Sequence, residues 1–264
     1  MEFETILLQR EGAIAYVILN RVEQRNALNS KMLQELSEVC IALDRDEEVR
    51  VIVIRSACPG VFSASADVKE REGMTTTEQV RRRRLLARST YESLQRIEKP
   101  MICAVNGKNY GGGCEIATAC DFIISSENAS FRYPEVIYGT LGATQRIPRS
   151  VGKSRAKYYL LTGKTISAEE AYRIGLTAVL VPEQEFEETV RTTAETIASY
   201  PPLAIRLTKK SIDVGMEVDM ISATDFEIQA IETIISNQEW KKGVQEWKQN
   251  MNKSISQTGY KESQ

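Results

Sequence analysis

Short apolar strands alternate with capped helices from the N-terminus to about residue 182, and there the alternation stops. Residues 3–8 and 13–19 are apolar or alternating runs parted by Arg10-Glu11-Gly12, a hairpin pattern. Asn29-Ser30 offers a helix cap. Leu33, Leu36, Cys40 and Leu43 follow at spacings of three and four, so residues 31–45 read as helix. Val51–Ile54, Met101–Val105, Phe122–Ser125 and Val179–Val181 read as strands, the first two deeply buried. Thr75-x-x-Glu78 and Ser167-x-x-Glu170 read as capping boxes, opening helices that run to about Ile97 and to Gly175. This succession predicts an α/β layered core. After Pro201-Pro202 the pattern changes. Ile205, Ile212, Ile221, Ile228, Ile231 and Ile235 fall on helical spacings, so an all-helical region with a break near Gly215 is expected. The division is placed at 1–200 and 201–264. An amphipathic terminal region must lay its apolar stripe on its own core or on a neighbouring subunit.

Composition narrows the chemistry. A chain of 264 residues buries roughly three quarters of its unfolded surface, so no disulfide or metal is needed to hold a core. It contains no histidine. Ser-His-Asp and Cys-His nucleophile pairs and histidine-based metal sites are therefore excluded. Proton transfer falls to Glu, Asp, Lys, Tyr or Cys with a tuned pKa. A net charge of -2 gives no pull toward nucleic acid or an anionic membrane. No apolar run approaches the roughly 18 residues of a spanning helix. The opening MEFETILLQR is acidic and alternating, unlike a signal peptide. Five cysteines without a CxxC pair favour reduced, buried thiols in a cytoplasmic protein over a disulfide or metal framework.

Three segments can carry chemistry. In Asn106-Gly-Lys-Asn-Tyr-Gly-Gly-Gly-Cys-Glu115 a buried strand runs into three glycines and a helix. Glycine lets backbone approach a ligand, and N–H groups exposed at a helix start suit an anion or a developing oxyanion. The plainer reading is a tight strand-to-helix turn with a favourable N-terminal acid, Glu115. Phe62-Ser-Ala-Ser-Ala-Asp67-Val-Lys69 places small residues after a strand, either as open backbone donors or as an ordinary loop. Phe131-Arg-Tyr-Pro-Glu135 sets a carboxylate among apolar residues, where burial would raise its pKa; an exposed loop acid is the alternative. Two carboxylates in one cleft, one charged and one protonated, run acid/base chemistry without histidine.

Taken together with Asn20-Arg21, Arg25–Leu28, Thr144–Arg146, Leu161–Gly163, Ala168–Gly175 and Gln238–Trp247, these segments resemble the enoyl-CoA hydratase/isomerase (crotonase) family in order and spacing. The resemblance implies a crotonase-like spiral of ββα units followed by a C-terminal helical region that packs trimers, often paired into hexamers. It implies an acyl-CoA thioester as substrate, with no further cofactor and no metal. The backbone N–H groups of Ala66 and Gly112 would form the oxyanion hole, and Glu115 and Glu135 the acid/base pair of a hydratase. Gln24, Arg25, Ser65, Asp67, Val68, Lys69 and Trp247 would lie along coenzyme A. Double-bond isomerisation is the nearest alternative activity.

The chain departs from the family pattern in places. Ser65 stands where a glycine is usual, and Lys108-Asn109-Tyr110 replaces a small or apolar stretch. The loop after Glu135 is shorter than the common one, and Asn250 stands where some hydratases have lysine. The departures near the acyl group suggest an unusual acyl substrate. A rival function comes from Arg81–Arg84 with Arg88. Arg81, Arg84 and Arg88 share a helix face and could serve a polyanion such as RNA, or simply form a solvated face balanced by nearby acids.

Overall fold

The computed structural model describes residues 3–238, 240, 241, 243–245 and 248. The chain divides into two compact units, 1–197 and 198–264.

In the first unit β1 (Ile6–Glu11) and β2 (Ile14–Leu19) form an antiparallel hairpin. The strand runs on to Glu11, so the turn is tighter than the sequence suggests and Gly12 takes a φ of 56°. Next come α1 (Ser30–Arg45), β3 (Val51–Ser56), β4 (Val61–Ser63), α2 (Val68–Glu72) and α3 (Thr77–Gln95). They are followed by β5 (Met101–Val105), β6 (Lys108–Tyr110), α4 (Gly112–Ala117), β7 (Phe122–Ser126) and β8 (Ser130–Arg132). The unit closes with α5 (Arg146–Val151), α6 (Lys153–Thr162), β9 (Ile166–Ser167), α7 (Ala168–Arg173), β10 (Val179–Val181) and α8 (Glu183–Ser199).

The strands sort into two sheets. The larger runs β1-β2-β3-β5-β7-β10, parallel from β2 onward; the smaller runs β4-β6-β8-β9, parallel from β4 to β8. Consecutive strands therefore step between sheets: β3 to β4, β5 to β6, β7 to β8. This is the spiral of ββα turns that the resemblance implies.

Apolar periodicity explains the core. The Asn29 side chain accepts the Met32 N–H at 2.9 Å and starts α1, which buries Met32, Leu33, Leu36, Val39, Cys40 and Leu43. Each such side chain contributes roughly 1.5–3 kcal/mol on leaving water. Helix α3 packs on α1, and its start differs by one residue from the expected capping box. Thr76 is the cap, accepting the Gln79 N–H at 3.2 Å, while the Gln79 side chain accepts the Thr76 N–H at 3.0 Å. Glu78 instead pairs with Arg82 at 2.8 Å. The Ser167 cap is as expected, accepting the Glu170 N–H at 3.2 Å. All five cysteines are buried and free.

The second unit contains α9 (Pro202–Gly215) and α10 (Met220–Asn237), with the break at the expected place. Asp219 caps α10 by accepting the Ile221 and Ser222 N–H groups. No helix among the described residues is long and apolar enough to cross a membrane.

Candidate active site

The turns that follow β4, β6 and β8 leave the same edge of three neighbouring parallel strands and so stand side by side. The first carries Ser65 and Ala66, the second Gly111–Glu115, the third Pro134 and Glu135.

The first turn is held from below. Asn26, fully buried, accepts the Arg21 N–H at 2.8 Å and donates to the Ser56 hydroxyl at 2.7 Å and the Phe62 carbonyl at 3.1 Å. This fixes Leu28, whose N–H donates to Ser65 O at 2.8 Å and whose carbonyl accepts the Asp67 N–H at 3.0 Å. The bridge uses the groups on either side of Ala66, so the Ala66 N–H takes no part in it.

The second turn needs its glycines. Gly111 has a φ of 46°, and a Cβ there would fall 2.1 Å from Ser65 Oγ. A Cβ on Gly112 would fall 2.8 Å from both Leu28 Cδ1 and Tyr91 Oη. The Gly112 N–H points to Ser65 Oγ at 3.4 Å.

Both glutamates face one cavity of about 260 Å³, together with Ser65, Ala66 and Gly112. Their surroundings differ. The Glu115 carboxylate accepts the Ala143 N–H at 2.6 Å and Arg146 Nη1 at 3.1 Å. Arg146 is held in turn by Gln95 at 2.8 Å and lies over the Tyr91 ring at 5.7 Å. Glu135 has a buried Oε2 that meets no partner among the described residues. Burial pushes its pKa above the ordinary carboxylate value and the charge of Glu115 adds to the rise, while a hydrogen bond from its own backbone N–H and the charge of Arg84 oppose it. A second, apolar cavity of about 450 Å³ shares Glu135, Leu141 and Gly142 and is walled by Val136, Pro148 and Leu160.

Residues 9–257 match the family model described as enoyl-CoA hydratase/isomerase. The chain belongs to this family. It is 39% identical over 244 residues to a short-chain-enoyl-CoA hydratase of Clostridium acetobutylicum, covering 91% of this chain and 93% of that one. It is 36% identical to a crotonyl-CoA hydratase of Syntrophomonas wolfei, covering 92% and 95%. Among solved structures, an enoyl-CoA hydratase from Bacillus anthracis superposes with a TM-score of 0.90 at 37% identity, covering 94% of this chain and 97% of that one. The crotonase-like α/β fold is therefore shared with solved members of the enoyl-CoA hydratase/isomerase family.

Glu115, Glu135, Ala66, Gly112 and Ser65 thus meet in one cavity. The other residues expected along coenzyme A do not line it. Gln24 lines a separate open cavity with Arg21 and Lys31, and Arg25 is exposed beside it. Val68 and Lys69 are exposed at the start of α2. The Asp67 carboxylate caps that helix through the Glu70 N–H at 3.2 Å and pairs with Arg21 at 2.8 Å. Trp247 and Asn250 lie outside the described residues.

Of the departures, Ser65 and the turn at Tyr138–Gly142 do line the cavity. Lys108-Asn109-Tyr110 does not: it is β6, with Asn109 fully buried in the smaller sheet. Two further cavity residues, Arg146 and Tyr91, carry no sequence signal that marks them as site residues, beyond the place of the first in the Thr144–Arg146 motif.

Proposed function

We propose that this protein is a hydro-lyase that adds water across a 2-enoyl-CoA thioester, and removes it in reverse. The observation that carries this reading is the pairing of Glu115 with Glu135 in one cavity beside two backbone donors. Its membership of a family whose similar members are named as hydratases supports it.

The thioester oxygen takes the Ala66 and Gly112 N–H groups, the latter in place of its long 3.4 Å contact with Ser65 Oγ; donors held by the backbone add little reorganisation as charge develops. Glu115, already oriented by Ala143 and Arg146, accepts a proton from water as the water oxygen bonds to the β-carbon. The electron pair of the double bond moves onto the thioester as an enolate. Glu135, whose burial favours the neutral form, gives its proton to the α-carbon. Exchange with solvent then returns both carboxyls to their starting states.

The substrate arrives as the CoA thioester and no additional cofactor enters the scheme. The exposed residues Gln24, Arg25 and Lys69 would meet its nucleotide end. Exposed Ile212, Ile221, Ile228 and Ile235 in the second unit favour self-association as a trimer or hexamer, which sedimentation would reveal. Five free buried thiols suit the cytoplasm.

The test is spectroscopic. Crotonyl-CoA or a longer enoyl-CoA should lose its conjugated absorbance on mixing with the protein and yield the 3-hydroxyacyl product. Conversion of a 3-enoyl-CoA to the 2-enoyl form without hydration would identify an isomerase instead.

A further inference from the structure

The basic block on α3 is only partly a solvated face. Arg82 pairs with Glu78 at 2.8 Å on the surface, but Arg83, Arg84 and Arg88 line the cavity that holds Glu115 and Glu135, as does Arg71 from α2. Most of these cations have a carboxylate. Arg83 meets Glu70 at 2.8 Å, Arg88 meets Glu92 at 2.6 Å, and Arg146 across the cavity meets Glu115 at 3.1 Å. Arg84 and Arg71 have no ion pair among the described residues.

Arg84 is nevertheless positioned. It donates to the Thr140 hydroxyl and, at 3.2 Å, to the Leu141 carbonyl, both neutral acceptors. Those residues belong to the turn that backs Glu135: a Cβ on Gly142 would fall 3.1 Å from Glu135 Cγ. The guanidinium thus reaches the wall where the proton donor sits. Glu135 is no lasting counter-ion for it, because a general acid must carry its proton. Cationic walls of this kind raise the local concentration of an anionic ligand, and a planar guanidinium suits a carboxylate.

We propose that the acyl group handled by this enzyme ends in a carboxylate, bound by Arg84 with Arg71 at the cavity rim. This rests on the hydratase reading above. The cavity is the one that must receive the thioester carbonyl, whereas the phosphates of coenzyme A lie a full pantetheine arm away. A plain alkyl chain would have no use for Arg84 and would fit the apolar cavity beyond Glu135.

The experiment is calorimetric titration of the full chain with saturated acyl-CoAs of equal length ending in a carboxylate or a methyl group. It is repeated with the matching acyl-pantetheines, which lack the nucleotide phosphates. The expected result is tighter binding of the carboxylate form by roughly tenfold or more, as a charge-assisted hydrogen bond provides, in both series. Arg84→Gln should abolish the preference, and Arg84→Lys should retain part of it. Equal affinities, or a preference for the methyl form, would overturn the proposal. So would an Arg84→Gln variant that binds both acyl-CoAs more weakly by the same factor and leaves the pantetheine series unchanged, since Arg84 would then serve a phosphate. Turnover of the corresponding 2-enoyl-CoAs is read separately. Binding preference without hydration of either would defeat the hydratase reading and leave the carboxylate site standing.

Discussion

Glu35 and Glu135 are both withdrawn from water within the first unit, and their surroundings are opposite. On α1, the Glu35 carboxylate accepts the N–H groups of Glu4 at 2.9 Å and Thr5 at 2.8 Å and the Thr5 hydroxyl at 2.5 Å, with Lys31 at 3.5 Å. Burial alone would raise its pKa, but these donors outweigh burial and hold it below the ordinary value. At Glu135 one oxygen has no donor among the described residues, and burial wins. The difference separates two uses of a hidden carboxyl group. One that is fully hydrogen-bonded as an anion pins a chain segment. One with an oxygen left without a donor is ready to keep and give a proton.

The comparison can be broken most sharply at the catalytic pair. Glu135→Gln should lower turnover by about two to four orders of magnitude, the usual weight of a general acid, without lowering the melting temperature. Glu115→Gln should lose a similar factor. Near-normal hydration by either variant would remove that residue from the mechanism. Gly112→Ala brings a Cβ to 2.8 Å from Leu28 and Tyr91, which displaces a backbone donor; a drop of roughly a hundredfold or more in kcat is expected from steady-state kinetics.

At the other pole, Glu35→Gln should cost about 1–3 kcal/mol in urea unfolding, because at least one buried donor loses its acceptor. The kcat of the folded fraction should be unaltered; a loss of kcat matching that of Glu135→Gln would erase the distinction.

The smallest effect is in pH. The folded pKa of Glu135 lies above its ordinary value of 4.5, so its contribution to stability is full below that value and is lost as pH rises through the folded pKa. The melting temperature of wild type relative to Glu135→Gln should therefore fall as pH rises above 4.5, and hydration should decline with the same ionisation. Glu35 behaves in reverse. Its contribution is present above 4.5 and is lost as pH falls through the depressed pKa, so acid should narrow the gap between wild type and Glu35→Gln.

Much of this was legible in the chain. Val51–Ile54 and Met101–Val105 read as strands because unbroken apolar runs of that length have few other fates. Glu115 and Glu135 were marked by the glycines and the proline beside them. The smaller sheet leaves no local pattern in the sequence, since β4, β6, β8 and β9 have three residues or fewer and no period. Lys108-Asn109-Tyr110 consequently reads as part of an acyl wall, whereas it is a short strand of the smaller sheet with only Asn109 buried. The pairing of Arg146 with Glu115 spans 31 residues and left no local trace. The α3 cap slipped by one position because Thr75 and Thr76 are equivalent in sequence, and only the hydrogen bonds of Gln79 distinguish them.

The stepping of the chain between two sheets has a consequence for how such an enzyme changes. Backbone pairing spaces β4, β6 and β8 about 4.8 Å apart, and the three site-bearing turns inherit that spacing as graduations on a ruler. Oxyanion donors and proton donor are thus gauged by main-chain geometry, which side-chain changes away from the glycines of the second turn leave in place. The lengths of the turns and the residues on α3 are not part of the ruler. A change in the length of the loop after Glu135, or in the side chain at position 84, can reshape what the enzyme accepts while the distance between its reacting groups stays fixed.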